Sequence, residues 1–383
     1  MLFMNFFRFF SFLFLLLPFS LPAQHTKGFY VDGFSTILGN QQKEDSLLRF
    51  AQNNGFNYLT LYQMHIVHAN TPLTNVGDAQ PFADFVQKAK TQFGIAEIGV
   101  AVENFNSVNT VYHIYNQQHS VSQQIDVYNL EFEFWVPSSV ETGGYYCETY
   151  LQPNGYSCDT SGAFAFHNRI LTQIDSVAAI DGVKSEAYFG WFNEGQGAQI
   201  VQSGVDRVLI SAYIPSADYS AAYQYNYIDT RLMRLASAGE QVKVMGLYSA
   251  EADFMQSWAV THDYFQPYND LVTGLATETA QWKNSIQTEG IQWFAYTDMP
   301  KKNMDLGLGE DDNQSFVVYP NPSEGSFRIK TSKAIQGEPV KIEDLEGRNV
   351  YSGFISESEI AVDLSPGSYF VRLKGRSEKL IVY

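Results

Sequence analysis

Cysteine is nearly absent from this chain: there are two in 383 residues, Cys147 and Cys158. So few thiols exclude a scaffold stapled by several bridges, and no further ligands at close spacing would turn the pair into a metal or redox centre. Basic residues are also scarce, 24 Lys and Arg against 41 Asp and Glu, a net charge of −17. That balance argues against nucleic acid as a partner and against anionic membrane surfaces. Beyond the first 23 residues no apolar run is long enough to cross a bilayer, so no transmembrane segment is expected in the mature chain. Missing too are a Gly-x-Gly-x-x-Gly turn after the first strand, a Gly-x-Ser-x-Gly elbow and a phosphate-binding glycine loop, and no cofactor is expected. His65 and His68 have no acidic or cysteine partner nearby, which leaves them as loop histidines and the metal assignment empty.

What is present divides the chain into four parts. Residues 1–23 carry one early charge, Arg8, then the apolar run Phe9–Leu17, then Pro18 and Ala23, the pattern of a secretory signal peptide. Residues 24–303 form the main domain, and 304–315 (Met-Asp-Leu-Gly-Leu-Gly-Glu-Asp-Asp-Asn-Gln-Ser) read as a linker. In an oxidising compartment Cys147 and Cys158, in a Gly/Tyr/Asn-rich stretch, are expected to pair, worth about 2–3 kcal/mol by loop entropy. Residues 316–383 alternate short strand-like runs with turns at Pro320-Asn321-Pro322, Gly347 and Pro366-Gly367. Tyr319-Pro-Asn-Pro322, Asp344-Leu-Glu-Gly-Arg348, Leu364-Ser-Pro-Gly-Ser-Tyr-Phe370 and the apolar end resemble the C-terminal sorting domain of type IX secretion cargo in Bacteroidetes-type bacteria. The resemblance implies a small all-β sandwich, read by an outer-membrane export machine as a partner, and a protein that is secreted or held at the cell surface.

In the main domain eight apolar runs of similar length recur: 27–34, 57–62, 96–102, 127–134, 185–191, 207–213, 242–248 and 292–297. Between them lie segments with helical spacing, at 45–53, 81–91, 164–180, 229–238 and 271–289. Eight strands alternating with helices over about 275 residues fit an α/β fold, a (β/α)8 TIM-like barrel, with its chemistry at the C-terminal ends of the strands.

The fourth run holds the strongest candidates. In Val127-Tyr-Asn-Leu-Glu-Phe-Glu-Phe-Trp135 the period of two puts Asn129, Glu131 and Glu133 on one face, and Leu130, Phe132 and Phe134 on the other. Two carboxyls directed into a barrel interior should have at least one pKa raised toward that of a general acid. Asn-x-Glu-x-Glu resembles the Asp-x-Asp-x-Glu of family 18 glycoside hydrolases. The resemblance implies that Glu133 donates the proton to the glycosidic oxygen, while Glu131 and Asn129 take the two preceding positions. It also implies that Tyr213, in Ile210-Ser-Ala-Tyr213, contacts substrate and that Trp293 floors the sugar site. The sequence departs from the family in the longer Glu131, in Ile214 after the tyrosine, and in lacking Ser-x-Gly-Gly on the third strand. A second arrangement pairs Glu133 with Glu251 after the seventh strand, as in retaining enzymes whose carboxylates stand about 5–5.5 Å apart. Asp298 and Glu103 are further carboxylates at strand ends.

Aromatic residues make up 15% of the chain, and Tyr62, Trp135, Trp191, Tyr213 and Trp293 stand near strand ends, where flat rings suit the C–H faces of sugars. The Tyr-rich stretch 219–227 reads as a loop that would add to such a surface or cover it. The chain is expected to act on, or bind, a polysaccharide or glycoconjugate, most concretely as a glycoside hydrolase. The alternative is a catalytically degenerate barrel that binds glycans at the cell surface. An excursion of Cys147–Cys158 over the mouth would favour the latter.

Overall fold

The computed structural model describes residues 25–301, 316–319, 323, 325–331, 338–344, 348–354, 359–373 and 376–382. The signal peptide expected at 1–23 and the linker expected at 304–315 lie outside the described residues. Two compact units divide between Asn303 and Met304.

In the first unit the apolar runs become eight parallel strands: β1 (Thr26–Val31), β2 (Tyr58–Leu61), β3 (Glu97–Val102), β4 (Val127–Leu130), β5 (Lys184–Phe189), β6 (Arg207–Ser211), β7 (Val242–Ser249) and β8 (Ile286–Phe294). Each pairs with the next and β8 pairs with β1, closing a (β/α)8 barrel. The principal helices are α1 (Gln41–Asn53), α2 (Met64–Asn70), α3 (Gln80–Gln92), α4 (His113–Gln118), α5 (Thr160–Asp181), α6 (Glu194–Gln202), α7 (Ala221–Ala236), α8 (Gln256–Thr261) and α9 (Gln266–Thr277). The β1–β8 seam depends on Gly290, because a Cβ there would stand 1.7 Å from the carbonyl oxygen of Thr26. Outward-facing residues such as Phe29, Leu59, Leu130 and Trp293 are buried beneath the helices.

Four elements differ from the sequence expectation, the first being β4, which ends at Leu130 rather than 134, so that Glu131 and Glu133 lie beyond the strand. The helix expected over 271–289 ends at Thr277, where the Glu278 carboxylate accepts from the N–H groups of Thr279 and Ala280 (2.7 and 2.8 Å). Strand β8 then begins at Ile286, six residues before the expected start, because Gln287, Thr288 and Glu289 hide it from an apolar count. The Tyr-rich stretch is mostly helix: Ser220 accepts from the Tyr223 N–H (3.1 Å) as N-cap, and α7 starts at Ala221. A helix does not keep alternate residues on one face. Tyr223 and Tyr227 are exposed together, whereas Tyr225 lies against Gly274 of α9.

The second unit holds antiparallel strands in two sheets. Strands β9 (Phe316–Tyr319), β10 (Ser326–Thr331) and β13 (Glu359–Asp363) form one, in the order β13-β10-β9. The other, in the order β12-β11-β14-β15, comprises β11 (Pro339–Asp344), β12 (Asn349–Phe354), β14 (Gly367–Leu373) and β15 (Arg376–Val382). Phe327 and Ile329 from one sheet and Val340, Ile342, Val371 and Leu380 from the other share one core.

Candidate active site at the barrel mouth

The barrel interior is built upward from an ion pair. Arg207 of β6 and Glu186 of β5, both without solvent exposure, are bound to each other, and Arg207 also reaches Glu97 of β3 (2.9 Å). Glu186 accepts from the Tyr58 hydroxyl (2.7 Å) and from the Asn129 amide (2.7 Å), so its second oxygen is satisfied as well. Gln292 of β8 donates to Thr60 of β2 (3.0 Å) in the same layer. This polar layer closes the barrel below and carries Asn129 and Tyr30 (3.1 Å apart) at its top. Asn129 is therefore fully enclosed and shut off from the mouth.

Glu131 follows β4 by one residue, its N–H still bound to the Val102 carbonyl (2.8 Å). Its side chain receives the Tyr62 hydroxyl (2.7 Å). Burial pushes its carboxyl up to about 7; the charges of Glu133 and Glu186 add to this, and hydrogen bonds from Tyr62 and Tyr30 oppose it. Glu133, on the same face, receives the Tyr188 hydroxyl (3.2 Å), and burial raises its carboxyl also. Phe132 and Phe134 point outward and are fully buried. Tyr213 stands over this pair, stacked at 6.4 Å on Tyr188, and its hydroxyl feels the charges of Glu131, Glu251 and Glu133 together. Glu251 is held by the Ser249 hydroxyl (2.8 Å). The structure thus gathers Glu131, Glu133, Glu251, Tyr62 and Tyr213, with Trp135 edge-on to Tyr188 (5.3 Å) at the rim.

Beside them opens a cavity of about 300 Å³, walled by Tyr62, Gln63, Glu103, Tyr112 and Tyr150, with Glu131 facing into it. Glu133 is not on its wall. The long connection after β4 is closed by the disulfide Cys147–Cys158, with Cα atoms 5.1 Å apart. From it Tyr145 and Tyr150 both donate to Glu103 (2.9 and 2.8 Å), which pins this connection at one side of the cavity without filling it.

Other expected residues lie elsewhere. Trp293 is fully buried on the outer face of β8, its indole donating to the Tyr264 carbonyl (3.0 Å), because its inward neighbours are Gln292 and Phe294. It does not floor the mouth. Trp191 is exposed against Arg234 of α7. Asp298 meets Gln256 only through its backbone carbonyl (3.0 Å). His65 and His68, expected on a loop, both sit on the helix α2; His65 lines the cavity, while His68 accepts from the Leu73 N–H (3.1 Å). Glu186, Arg207 and Tyr30 were missed from sequence. The available signal was a charged residue at alternate positions of an apolar strand, as in Ser185-Glu-Ala-Tyr-Phe189. No group of three His, Cys, Asp or Glu able to hold a metal occurs among the described residues.

Residues 317–382 match the family described as secretion system C-terminal sorting domain. This unit is a type IX sorting domain. It makes the secretion machinery a partner and marks the chain as secreted or cell-surface cargo. No helix among the described residues is long and apolar enough to cross a membrane. No curated protein matches the sequence. The chain is similar, at 23% identity over 18% of its length, to a structure reported as PorZ, an essential bacterial surface component of the type-IX secretion system of Porphyromonas gingivalis (TM-score 0.16). It spans only 11% of that protein. Over 71% of its length it is similar to a Rhizomucor miehei β-1,3-glucanosyltransferase (13% identity, 87% of that chain, TM-score 0.41). Over 73% it is similar to the catalytic domain of a Bacillus sp. JAMB-750 GH26 endo-β-1,4-mannanase (12% identity, 79% of that chain, TM-score 0.41). The Escherichia coli YdjI aldolase is similar over 70% at TM-score 0.35, so these likenesses do not single out a chemistry.

Proposed function

We propose that the exported barrel hydrolyses a glycosidic bond, with Glu131 as proton donor. The observation that carries this reading is a carboxyl kept protonated to about neutral pH, facing a tyrosine-lined cavity at the C-terminal mouth of the barrel. Its proton goes to the glycosidic oxygen as the C–O bond breaks. A second carboxyl, Glu133 or Glu251, whose charges both act on the Tyr213 hydroxyl, would serve the anomeric carbon, either by taking a proton from the attacking water or by forming a glycosyl ester that water then opens. Sequence resemblance favours Glu133 as donor, and the cavity favours Glu131.

A second reading, a glycan-binding barrel without catalysis, has its own support: Glu131 and Glu103 are already held by the Tyr62, Tyr145 and Tyr150 hydroxyls. The test is reducing-sugar release from a panel of glycans by the full chain beside Glu131→Gln and Glu133→Gln. Release that falls at least 100-fold in one variant makes that carboxyl essential, and turnover restored by an aryl glycoside whose leaving group needs no proton identifies it as the donor. No release from any glycan, with binding intact in all three proteins, leaves the binding reading in its place.

A further inference from the structure

Away from the cavity, a pair of cations on α7 lacks a counter-charge. Arg231 is 6% exposed, and its guanidinium donates to the carbonyls of Gly190 (2.6 Å) and Tyr227 (3.0 Å). Arg234, one turn on, donates to the Phe192 carbonyl (2.5 Å). No Asp or Glu lies within ion-pair distance of either among the described residues. Burial, with repulsion from Arg234, pushes Arg231 down to about 10. Arg207, by contrast, is buried with Glu186 and Glu97 around it. Arg231 is occupied by Gly190, Tyr227 and Ser211 (3.4 Å), whereas the half-buried Arg234 donates only to the Phe192 carbonyl among the described residues, which leaves guanidinium N–H groups for an anion arriving from outside.

Flat rings surround the pair. Trp191, 48% exposed, lies against Arg234 (5.3 Å), and Tyr227, 44% exposed, lies against Arg231 (5.2 Å). Tyr223, 46% exposed, stacks on Tyr227 at 6.3 Å with an interplanar angle of 23°. Exposed rings that are nearly parallel offer apolar faces to the C–H faces of sugars, and a planar guanidinium beside them suits an oxyanion.

We propose that Trp191, Tyr223, Tyr227, Arg231 and Arg234 form a binding surface for an anionic glycan, whose rings lie on the aromatic faces and whose carboxylate or sulfate meets Arg234. In a chain with net charge −17, two neighbouring cations without an acidic partner lower the repulsion that an anionic ligand meets. The surface needs no carboxyl of the mouth, and its occupancy is measured without turnover, so a failure of the hydrolytic reading leaves it standing.

The test is retardation of the full chain in native gels cast with polygalacturonate, dextran sulfate, neutral dextran or polyglutamate, for the parent, Trp191→Ala and Arg234→Gln. Retardation by polygalacturonate or dextran sulfate, weakened at least tenfold by either substitution, supports the proposal, and the better ligand tells carboxylate from sulfate. Retardation by neutral dextran or polyglutamate of equal strength overturns it, as does no retardation at all or retardation that both variants keep. Tyr227→Ala stands in if Trp191→Ala does not keep the parent's circular dichroism.

Discussion

At the scale of single residues, burial decides the chemistry. Glu131 must be protonated to act as donor, and its carboxyl is pushed up to about 7, so release should fall as pH rises through about 7. A rate that stays level from pH 6 to 9 would remove Glu131 from that role. His167 of α5 is an opposite case: it is fully buried among Phe132, Phe134 and Phe189, neither ring nitrogen has a partner among the described residues, and burial pushes it down to about 3. The unfolded chain takes up this proton below about pH 6.5, whereas the folded chain resists until about 3. Stability is therefore lost as pH falls through that window and is fully present above it. Between pH 7 and 5 the parent should lose about 2 kcal/mol more than His167→Leu, measured by urea unfolding at both pH values. Period two alone was enough to read Asn129 and Glu131 as inward from sequence. It was not enough for Glu186 and Arg207, because a lone charge at a strand's start is equally at home facing solvent until pairing fixes the register.

At the scale of elements, the barrel seam is the vulnerable place. Thr26 and Gly290 are register partners, and the room at Gly290 is already taken by the Thr26 backbone. Gly290→Val should cost more than about 4 kcal/mol, seen as a lowered urea midpoint or loss of cooperative unfolding. Gly33→Ala is the control, since a Cβ there meets only Thr36 at 3.7 Å. Equal midpoints for the two variants would mean that the seam tolerates separation. Seven of the eight runs were placed from apolar content because parallel strands covered on both faces read as near-continuous hydrophobic segments. Strand β8 was misplaced for the converse reason: its first half carries Gln287, Thr288 and Glu289 at the barrel's lower rim, where polar side chains reach water or the ions of Glu289 and Lys243 (3.3 Å). Tyrosines at 223, 225 and 227 look like a strand or loop in sequence, and only the Ser220 cap shows that a helix begins there.

At the scale of the whole molecule, the two units have separate tasks. The family of the C-terminal unit was legible because its short strand-like runs and their Pro, Asn and Gly punctuation are chemically marked, whereas the barrel's function was not, since its fold accommodates many chemistries. Deleting residues 317–382 should leave the chain inside the envelope of a bacterium with type IX machinery, detected by immunoblot of periplasm, surface and medium. Appearance of the truncated chain in the medium at the parent's level would show that another segment directs export.

The pairing of β8 with β1 joins positions roughly 260 residues apart, so nearly every barrel contact across that seam is of the slowest kind to form. A chain emerging from a pore with its N-terminus first can assemble seven strands, but it cannot close them until the eighth has followed. Until then it is an open sheet with two unsatisfied edges, at risk of joining a neighbour. Once closed, it is a rigid body with a radius of gyration of about 19 Å, expected for about 280 residues. If the barrel closes before it is carried outward, the conduit must be wide enough for that body, because threading it through a narrower one would require reopening the seam.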